Sequence, residues 1–425
     1  MLVEFSVGNY RSFKEKQTLS MVASGNLDSA LGHQFETGFG VAPALLQSAC
    51  ILGPNASGKS NLIRAMDFFC DFATLSSKDL QEGDPIDVEP FKLDTRTAVQ
   101  PSEFEITFIF EETLYRYGFA ATRNRIHAEQ LFSRSIEPGS KERQVFTREL
   151  ALEKDLYEWD INERILRGSR EEWRAATRSN ATFLSTAVQL NANDLKKPFT
   201  WLKEYFHPFS SAGRFSPGYT FSRFEYPDEK EKILRIVQDI DLSITGMEIN
   251  KKEFDPGNLP EDMSPALRAA ILEKLKGQTL VEVRTVHTDE KGKQVYFDLE
   301  DESDGTQVIV GLAGPWLNTL ENGYTLVVDE LNNSLHPGAL RYLVELFHSK
   351  EHNRKNAQLI FTTHGTSILS RDTMQRDQVW FMECSKEQST DLYPLTDFKP
   401  RKGEALEKGY LGGRYGALPN IKGFY

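Results

Sequence analysis

Residues 53–60 read GPNASGKS and fit the pattern G-x-x-x-x-G-K-[ST], with Gly53, Gly58, Lys59 and Ser60 at the fixed positions. The backbone N–H groups of such a loop surround phosphate oxygens, and the N-terminus of the following helix adds a favourable partial charge. Lys59 is then placed to reach the β- and γ-phosphates, and Ser60 to bind Mg²⁺ through its hydroxyl. The alternative is a helix N-cap with incidental glycines; the strand–loop–helix context favours a phosphate-binding loop.

A pair of acidic residues ends an apolar strand much later in the chain. Residues 324–330 read YTLVVDE, so the strand delivers Asp329 and Glu330 to its carboxyl end. A phosphate-bound metal needs a carboxylate from a neighbouring strand, and we expect Asp329 to hold Mg²⁺ directly or through water. Glu330 is the expected general base, which polarises the attacking water. On its own the same pattern also describes a solvated strand end.

A third candidate follows the next apolar strand, QLIFTTHGTSIL. Thr362, Thr363 and His364 come directly after Leu359-Ile360-Phe361. Ligands of open α/β sheets gather at the carboxyl ends of the strands, which is where this pattern places His364. We expect His364 to contact the γ-phosphate and the water, although a single histidine after a strand is often structural.

The elements that must position these residues alternate between strand and helix at both ends of the chain. Strands are predicted near 49–52, 325–328 and 358–361, with helices after the glycine loop, over 305–320 and over 339–349. Antiparallel hairpins are predicted at 104–121 and 280–300, and a terminal hairpin within 377–395. The middle is mixed, with helices expected at 170–179, 196–206, 229–240 and 265–276. This order predicts an α/β fold with a parallel sheet and an inserted middle region.

Composition limits the class of protein. The 425 residues carry a net charge of −12, with 39% hydrophobic and 26% charged residues, which argues against a protein coated by nucleic acid. No apolar run approaches 18 residues and the first residues do not resemble a signal peptide, so no membrane span or export is expected. The widely spaced Cys50, Cys70 and Cys384 argue against zinc and disulfides. We therefore expect reduced, buried thiols in a cytoplasmic protein.

Together these motifs resemble the ABC-type ATPases, and more closely their SMC-like and OLD-like branch, which includes RloA-like or abortive-infection ATPases of bacterial defence loci. GPNASGKSN resembles the Walker A motif, LVVDE the Walker B motif, NNSLHP at 332–337 the D-loop, and His364 the switch histidine. NYRSF at 9–13 is similar to the opening turn of SMC-like heads, and ESDGTQ to the signature motif. The residues that the resemblance assigns to nucleotide are Gly53, Asn55, Ala56, Ser57, Gly58, Lys59, Ser60, Asn61, Ser303 and Gly305.

The resemblance implies an ABC-ATPase head that binds ATP and Mg²⁺. The head would consist of residues 1–120 and 285–425, with 121–284 as an inserted, mostly helical subdomain. In this family the signature serine meets the γ-phosphate bound by the other subunit, which implies a C2 homodimer, or a higher even oligomer, around two ATPs. The alternative for Ser303 is a plain helix N-cap. The signature has Asp304-Gly305-Thr306 where transporters carry two glycines and a glutamine, and no Q-loop glutamine is found in PFKLD at 90–94.

Three functions stay open from the sequence. The first is an ATPase sensor or scaffold in antiphage defence with a separately encoded, nuclease-like effector, because no second catalytic constellation is present. The second is an SMC-like DNA-repair ATPase that binds duplex DNA; the third is an ATP-gated interaction module with little turnover. The arginine-rich stretch 121–178 carries nearly as many acids, which favours a mixed-charge surface with ion pairs over a DNA-contacting face. By analogy, Asn9 and Arg11 lie near the base or the phosphates.

Overall fold

A computed structural model describes residues 1–24, 32–137, 139–209, 217–253, 263–275, 279–370, 372–401 and 403–419. Within these residues the strands are β1 (Leu2–Gly8), β2 (Gln17–Ser20), β3 (Gln34–Phe39), β4 (Ala42–Leu46), β5 (Ser48–Leu52), β6 (Ser102–Phe110), β7 (Thr113–Ala121), β8 (Ile126–Ser135), β9 (Arg143–Ala151), β10 (Leu156–Ile161), β11 (Phe206–Phe209), β12 (Gly246–Glu253), β13 (Thr279–Thr288), β14 (Gln294–Asp298), β15 (Thr325–Val328), β16 (Gln358–Thr363), β17 (Val379–Cys384) and β18 (Thr390–Pro394). The α-helices are α1 (Lys59–Asp79), α2 (Arg170–Ala176), α3 (Phe183–Gln189), α4 (Lys196–Thr200), α5 (Pro217–Arg223), α6 (Pro227–Ile240), α7 (Pro265–Leu275), α8 (Asp304–Asn322), α9 (Pro337–His348) and α10 (Leu406–Leu411).

One sheet has six strands in the order β11-β15-β16-β5-β17-β18. Its first five strands are parallel and β18 runs antiparallel to β17. Every residue of β5, β15 and β16 is buried, as expected for strands covered on both faces. Because these strands are parallel, their carboxyl ends meet at one edge, and the glycine loop, Asp329 and His364 all follow strands that end there. The predicted α/β architecture with a parallel sheet and antiparallel hairpins is confirmed.

A second sheet is antiparallel, in the order β10-β9-β8-β7-β6-β1-β2. The predicted hairpin of β6 and β7 turns at Glu111 and Glu112, which both have positive φ, as a two-residue type I′ turn requires. Helix α1 packs its aromatic face on this sheet: the Phe69 ring stacks on Phe119 with centroids 5.2 Å apart and meets Phe5 edge-on at 5.7 Å. The helix that begins at the glycine loop is therefore fixed by a rigid aromatic core.

The chain divides into two compact units. The first contains residues 1–212, 319–333 and 339–425, and the second contains 213–318 and 334–338. The boundary predicted at residue 120 falls inside β7, and β8 to β10 continue the antiparallel sheet of the first unit. The predicted insert of 121–284 is thus divided between the units, and it begins with strands β8 to β10, which helices α2, α3 and α4 follow.

The second unit has its own small sheet, with β13 between β12 and β14, and the helices α5, α6 and α7. The helix expected over 265–276 is α7, which ends at Leu275; residue 276 lies outside the described residues. The greater part of α8 also belongs to this unit. No helix in the described part of the chain is long and apolar enough to cross a membrane.

Candidate active site

The glycine loop connects β5 to α1 and is held by close backbone approaches. Gly58 has φ of 100°, and a Cβ there would overlap the Oγ1 of Thr390. A Cβ on Gly53 would overlap the carbonyl oxygen of Met382. Neither position has room for a side chain, so the two glycines let the loop curl between β17 and the start of α1. This is the predicted strand–loop–helix geometry.

Lys59, the first residue of α1, lies inside the loop and is only 5% exposed. Its Nζ donates to the carbonyl oxygens of Gly53 at 2.7 Å and Pro54 at 2.9 Å. Burial lowers the pKa of Lys59 to about 8, and the charges of Asp329 and Glu330 oppose that shift. The hydroxyl of Ser57 is buried and has no hydrogen-bond partner among the described residues. A buried cation held by neutral carbonyls beside an unpaired hydroxyl fits an anionic ligand.

The loop is braced from both sides by side chains that the sequence did not single out. The Oγ of Ser12 accepts from Asn61 Nδ2 at 2.9 Å and from Thr390 Oγ1, with which it shares a 2.8 Å hydrogen bond. Thr390 Oγ1 also lies 3.0 Å from the carbonyl oxygen of Ser57. NYRSF and the first residue of β18 therefore fix the loop. Ser12 belongs to the NYRSF segment, but sequence spacing alone does not show that it contacts Asn61.

The acidic pair follows β15 at the same edge of the sheet. Asp329 is 4% exposed, and its Oδ1 accepts from Thr362 Oγ1 at 2.6 Å. Thr362 Oγ1 also accepts from the backbone N–H of Glu330 at 2.7 Å. Glu330 has φ of 52°, a left-handed conformation that non-glycine residues adopt uncommonly. The side chain of Glu330 is half-exposed, whereas that of Asp329 is buried.

His364 joins these acids through Asn332. The Oδ1 of Asn332 accepts from Thr363 Oγ1 at 2.9 Å and from the backbone N–H of His364 at 3.1 Å. His364 Nε2 lies 3.9 Å from Glu330 Oε1. Burial and the charge of Lys59 lower the pKa of His364, while Glu330 and Asp329 oppose the shift. A neutral imidazole beside a carboxylate is suited to hydrogen bonding with water rather than to neutralising phosphate charge.

The structure thus brings most of the predicted site residues to one edge of the first unit. Asn55 and Ala56 form the exposed tip of the loop, and Ala56 has φ of 63°. Ser60 and Asn61 are half-buried in the first turn of α1, where backbone N–H groups have no partner within the helix. The residues present therefore fit a triphosphate with Mg²⁺: a glycine cradle, a buried lysine, the Ser60 hydroxyl and the Asp329 carboxylate.

The signature residues lie in the second unit, where Ser303 caps its own helix. The Oγ of Ser303 accepts from the backbone N–H of Thr306 at 3.1 Å and lies 2.9 Å from Thr306 Oγ1, which in turn lies 3.1 Å from Asp241 Oδ2. A Cβ on Gly305 would come within 2.9 Å of the Ser334 carbonyl oxygen. The N-cap alternative is therefore realised in the single chain, and a role for Ser303 on a partner's nucleotide stays a prediction.

Asn9 has a different role from the one expected by analogy. Its Nδ2 lies 2.8 to 3.2 Å from three carbonyl oxygens, those of Thr97, Gln100 and Pro101. Its Oδ1 accepts from the backbone N–H of Phe91 at 3.0 Å. These bonds satisfy the side-chain amide, so Asn9 fixes the 91–101 segment and is not free to contact a nucleotide.

Several arginines of the 121–178 stretch form ion pairs with neighbouring acids, as the mixed-charge interpretation predicted. The pairs are Arg125–Asp155, Arg148–Glu129, Arg170–Glu163 and Arg174–Glu171. Trp173 and Trp201 are buried in the core, and Trp201 stacks on Phe108 with centroids 4.1 Å apart.

Of the three free cysteines, Cys50 and Cys70 are buried as expected, whereas Cys384 is exposed. The expectation that all three thiols are buried was wrong for Cys384, which ends β17.

Comparison with known proteins gives a family. A family model described as "AAA domain, putative AbiEii toxin, Type IV TA system" matches residues 48–370, more than half of the chain. A comparison with curated proteins finds no match. Structures of the recombination mediator protein RecF in the RecFOR pathway, RecF-ATPrS and RecF-ATP, share 12% and 13% identity with this chain at TM-scores of 0.30 and 0.31. They cover 92% of this chain and 98% and 97% of their own; scores this low carry no argument about fold or function.

Proposed function

The chain belongs to this AAA domain family, and we propose that it binds ATP with Mg²⁺ at the strand-end site and hydrolyses it. The observation that carries the proposal is the buried Lys59, whose hydrogen bonds among the described residues go to loop carbonyls, and whose pKa the charges of Asp329 and Glu330 raise against the effect of burial. When bound, Mg²⁺ supplies charge neutralisation for the phosphates. The remaining work falls to side chains of the chain itself.

Each of these side chains has a position that suits one task. The loop N–H groups and Lys59 bind phosphate oxygens, and Ser60 with Asp329 would hold the metal. Glu330, half-exposed and 3.9 Å from His364, accepts a proton from water. His364 orients the same water through its neutral imidazole. Thr362 and Asn332 keep the two acids and the histidine in fixed relation.

A direct test compares Glu330→Gln with the wild-type chain. We expect turnover to fall by about 100-fold or more, because general base catalysis contributes roughly 10²–10⁴-fold, while affinity for ATP is retained. Glu351→Gln, at an exposed carboxylate beyond α9, is the matched control and keeps wild-type turnover. If the wild-type chain shows no Mg²⁺-dependent phosphate release above the Glu330→Gln background, alone or as a dimer, the proposal fails.

We further propose that two chains pair around two ATPs, with Ser303 of each facing the nucleotide of the other. In support, Ser303 begins a long helix whose N-terminal N–H groups suit an anion, and one chain carries one glycine loop and one signature turn. Glu330→Gln with saturating ATP and Mg²⁺ should then accumulate as a dimer in light scattering. A monomer under these conditions contradicts the pairing but leaves ATP binding intact.

The biological role we propose is that of an ATP-dependent sensor or scaffold in antiphage defence, acting on a separately encoded effector. The family description names a putative AbiEii toxin of a type IV toxin–antitoxin system, which supports such a setting. The three free thiols support a reducing compartment such as the cytoplasm. Co-purification with the product of the neighbouring reading frame tests the effector. A gel shift with duplex DNA across a salt series tests the repair alternative, which the ion-paired arginines do not favour.

A further inference from the structure

The C-terminal segment 404–417 forms a closed loop that the proposed catalysis does not use. Glu404 accepts from the Tyr415 hydroxyl at 2.6 Å and pairs with Arg414, and the Tyr410 hydroxyl donates to the Ala417 carbonyl at 2.9 Å. A Cβ on Gly409 would come within 2.7 Å of the Tyr415 hydroxyl. These contacts, which include residues of α10, give the segment a defined shape; we call it the C-terminal loop.

The C-terminal loop is anchored on the β17–β18 hairpin. The backbone N–H of Ala417 donates to Glu383 Oε2 at 2.9 Å, and the Tyr393 hydroxyl donates to the Tyr415 carbonyl at 3.0 Å. The Phe381 ring stacks with Tyr410 at 5.3 Å between centroids. The same hairpin supports the glycine loop, since Thr390 touches Ser57 and Ser12. The C-terminal loop is therefore attached to one side of the phosphate site.

The side chain of Glu407 extends from the C-terminal loop to the segment that carries His364. Glu407 Oε1 accepts from Thr366 Oγ1 at 2.8 Å, and both residues are half-buried. Thr366 begins the short 3₁₀ turn Thr366–Ile368, two residues after His364. From the other direction, Asn332 holds the backbone of His364. The segment that carries His364 thus has two anchors, one beside the acids and one in the C-terminal loop.

We propose that Glu407 is a positioning residue for His364, and that the C-terminal loop and the β17–β18 hairpin couple the His364 segment to the glycine loop. The inference rests on the proposed ATPase function. A half-exposed histidine on a short turn needs a fixed backbone to direct its imidazole at one water molecule, and errors of about 1 Å at such positions cost on the order of 100-fold in rate. The Glu407–Thr366 bond supplies this second restraint.

The test measures turnover and nucleotide affinity in variants of the two bonded residues. We expect Glu407→Ala and Thr366→Val each to lower kcat about 10-fold, with the Kd of a fluorescent ATP analogue unchanged within about twofold. Glu407→Gln keeps an oxygen acceptor for the Thr366 hydroxyl, so it should restore most of the wild-type kcat. Arg414→Ala, which removes an ion pair inside the C-terminal loop but no bond to the His364 segment, is the matched control and keeps kcat within about twofold.

Epistasis with His364 distinguishes positioning from a general structural role. In a His364→Ala background, adding Glu407→Ala should cost no further activity, because the side chain that Glu407 positions is gone. A further 10-fold loss in that background, or an unchanged kcat in Glu407→Ala, overturns the inference. Neither outcome touches the proposed function, which fails only if the wild-type chain itself releases no phosphate. Melting temperatures of all variants report unfolding separately.

Discussion

Basic side chains with lowered pKa values lie at both ends of the parallel sheet, but the two groups differ in their surroundings. At the carboxyl end, Lys59 and His364 have lowered pKa values beside the carboxylates of Asp329 and Glu330. At the amino end, His33 and His348 stack with ring centroids 4.0 Å apart, and burial lowers the pKa of both.

The amino end is a closed network of neutral groups. His33 Nδ1 lies 2.6 Å from Gln378 Oε1, Gln378 Nε2 donates to Ser48 Oγ at 2.8 Å, and Ser48 Oγ lies 2.8 Å from His348 Nε2. All four residues are buried. In contrast, Glu330, His364 and the loop tip at the carboxyl end are partly exposed, although Asp329 is buried. At the open carboxyl end, a bound anion can stabilise the protonated form of a buried base and so offset the free energy of burying its charge. At the closed amino end, protonation of the buried bases can only lower the stability of the folded protein.

Of the substitutions that separate the two ends of the sheet, Lys59→Ala should have the largest effect. We expect ATP affinity to fall by about 10- to 150-fold, because a charge-assisted hydrogen bond to phosphate is worth about 1.5–3 kcal/mol and the loop loses the buried ammonium group of Lys59. Stability should change little, since the hydrogen bonds of Lys59 within the described part of the chain go to carbonyls of its own loop. Fluorescent-nucleotide titration measures the affinity. Lys78→Ala, an exposed lysine in the last turn of the same helix, is the control and should bind as the wild type does.

Gln378→Ala should instead lower stability and leave nucleotide affinity nearly unchanged. It removes the partner of His33 and Ser48 and leaves buried polar groups unpaired, which costs about 2 kcal/mol of unfolding free energy. Nucleotide affinity of the folded protein should stay within about twofold, because the network lies at the far end of the strands. Urea denaturation and nucleotide titration on the same preparation check both. A weakened affinity with unchanged stability would show that the two ends are not separable.

The sequence predicted the carboxyl end well and the amino end not at all. The glycine loop, Asp329-Glu330 and His364 follow apolar strands, so strand order alone brought them to one edge. The network of His33, Ser48, His348 and Gln378 joins four segments that are distant in sequence. No local sequence pattern predicts contacts of this kind. The sequence did not predict strands β8 to β10 because many of their residues are charged. A charged segment such as RQVFTRELA is typical of an exposed surface, and only its pairing with β8 identifies it as a strand.

Acid should destabilise the protein through the amino end. Both histidines have folded-state pKa values below the ordinary value of 6.5, so the unfolded chain binds more protons as pH falls. Their contribution to stability is therefore complete above about pH 6.5 and is lost below it, by up to about 1.4 kcal/mol per pH unit for each histidine. Denaturation between pH 7.5 and 5 measures the slope. His33→Gln should flatten it relative to the wild type, whereas His352→Gln, at an exposed position, should not.

At the carboxyl end the lowered pKa should instead appear as proton uptake on binding. Burial holds the pKa of Lys59 at about 8, so near pH 8 about half of the free protein lacks this charge. Phosphate oxygens favour the ammonium form, so ATP binding should take up about half a proton at that pH, and affinity should weaken as pH rises further. Calorimetry in buffers with different ionisation enthalpies measures the uptake. The arginine of Lys59→Arg stays charged throughout this range, so this variant should bind ATP without proton uptake. Equal proton uptake in the variant and the wild type would show that another group binds the proton, and Lys59 would then not differ from the buried histidines in this respect.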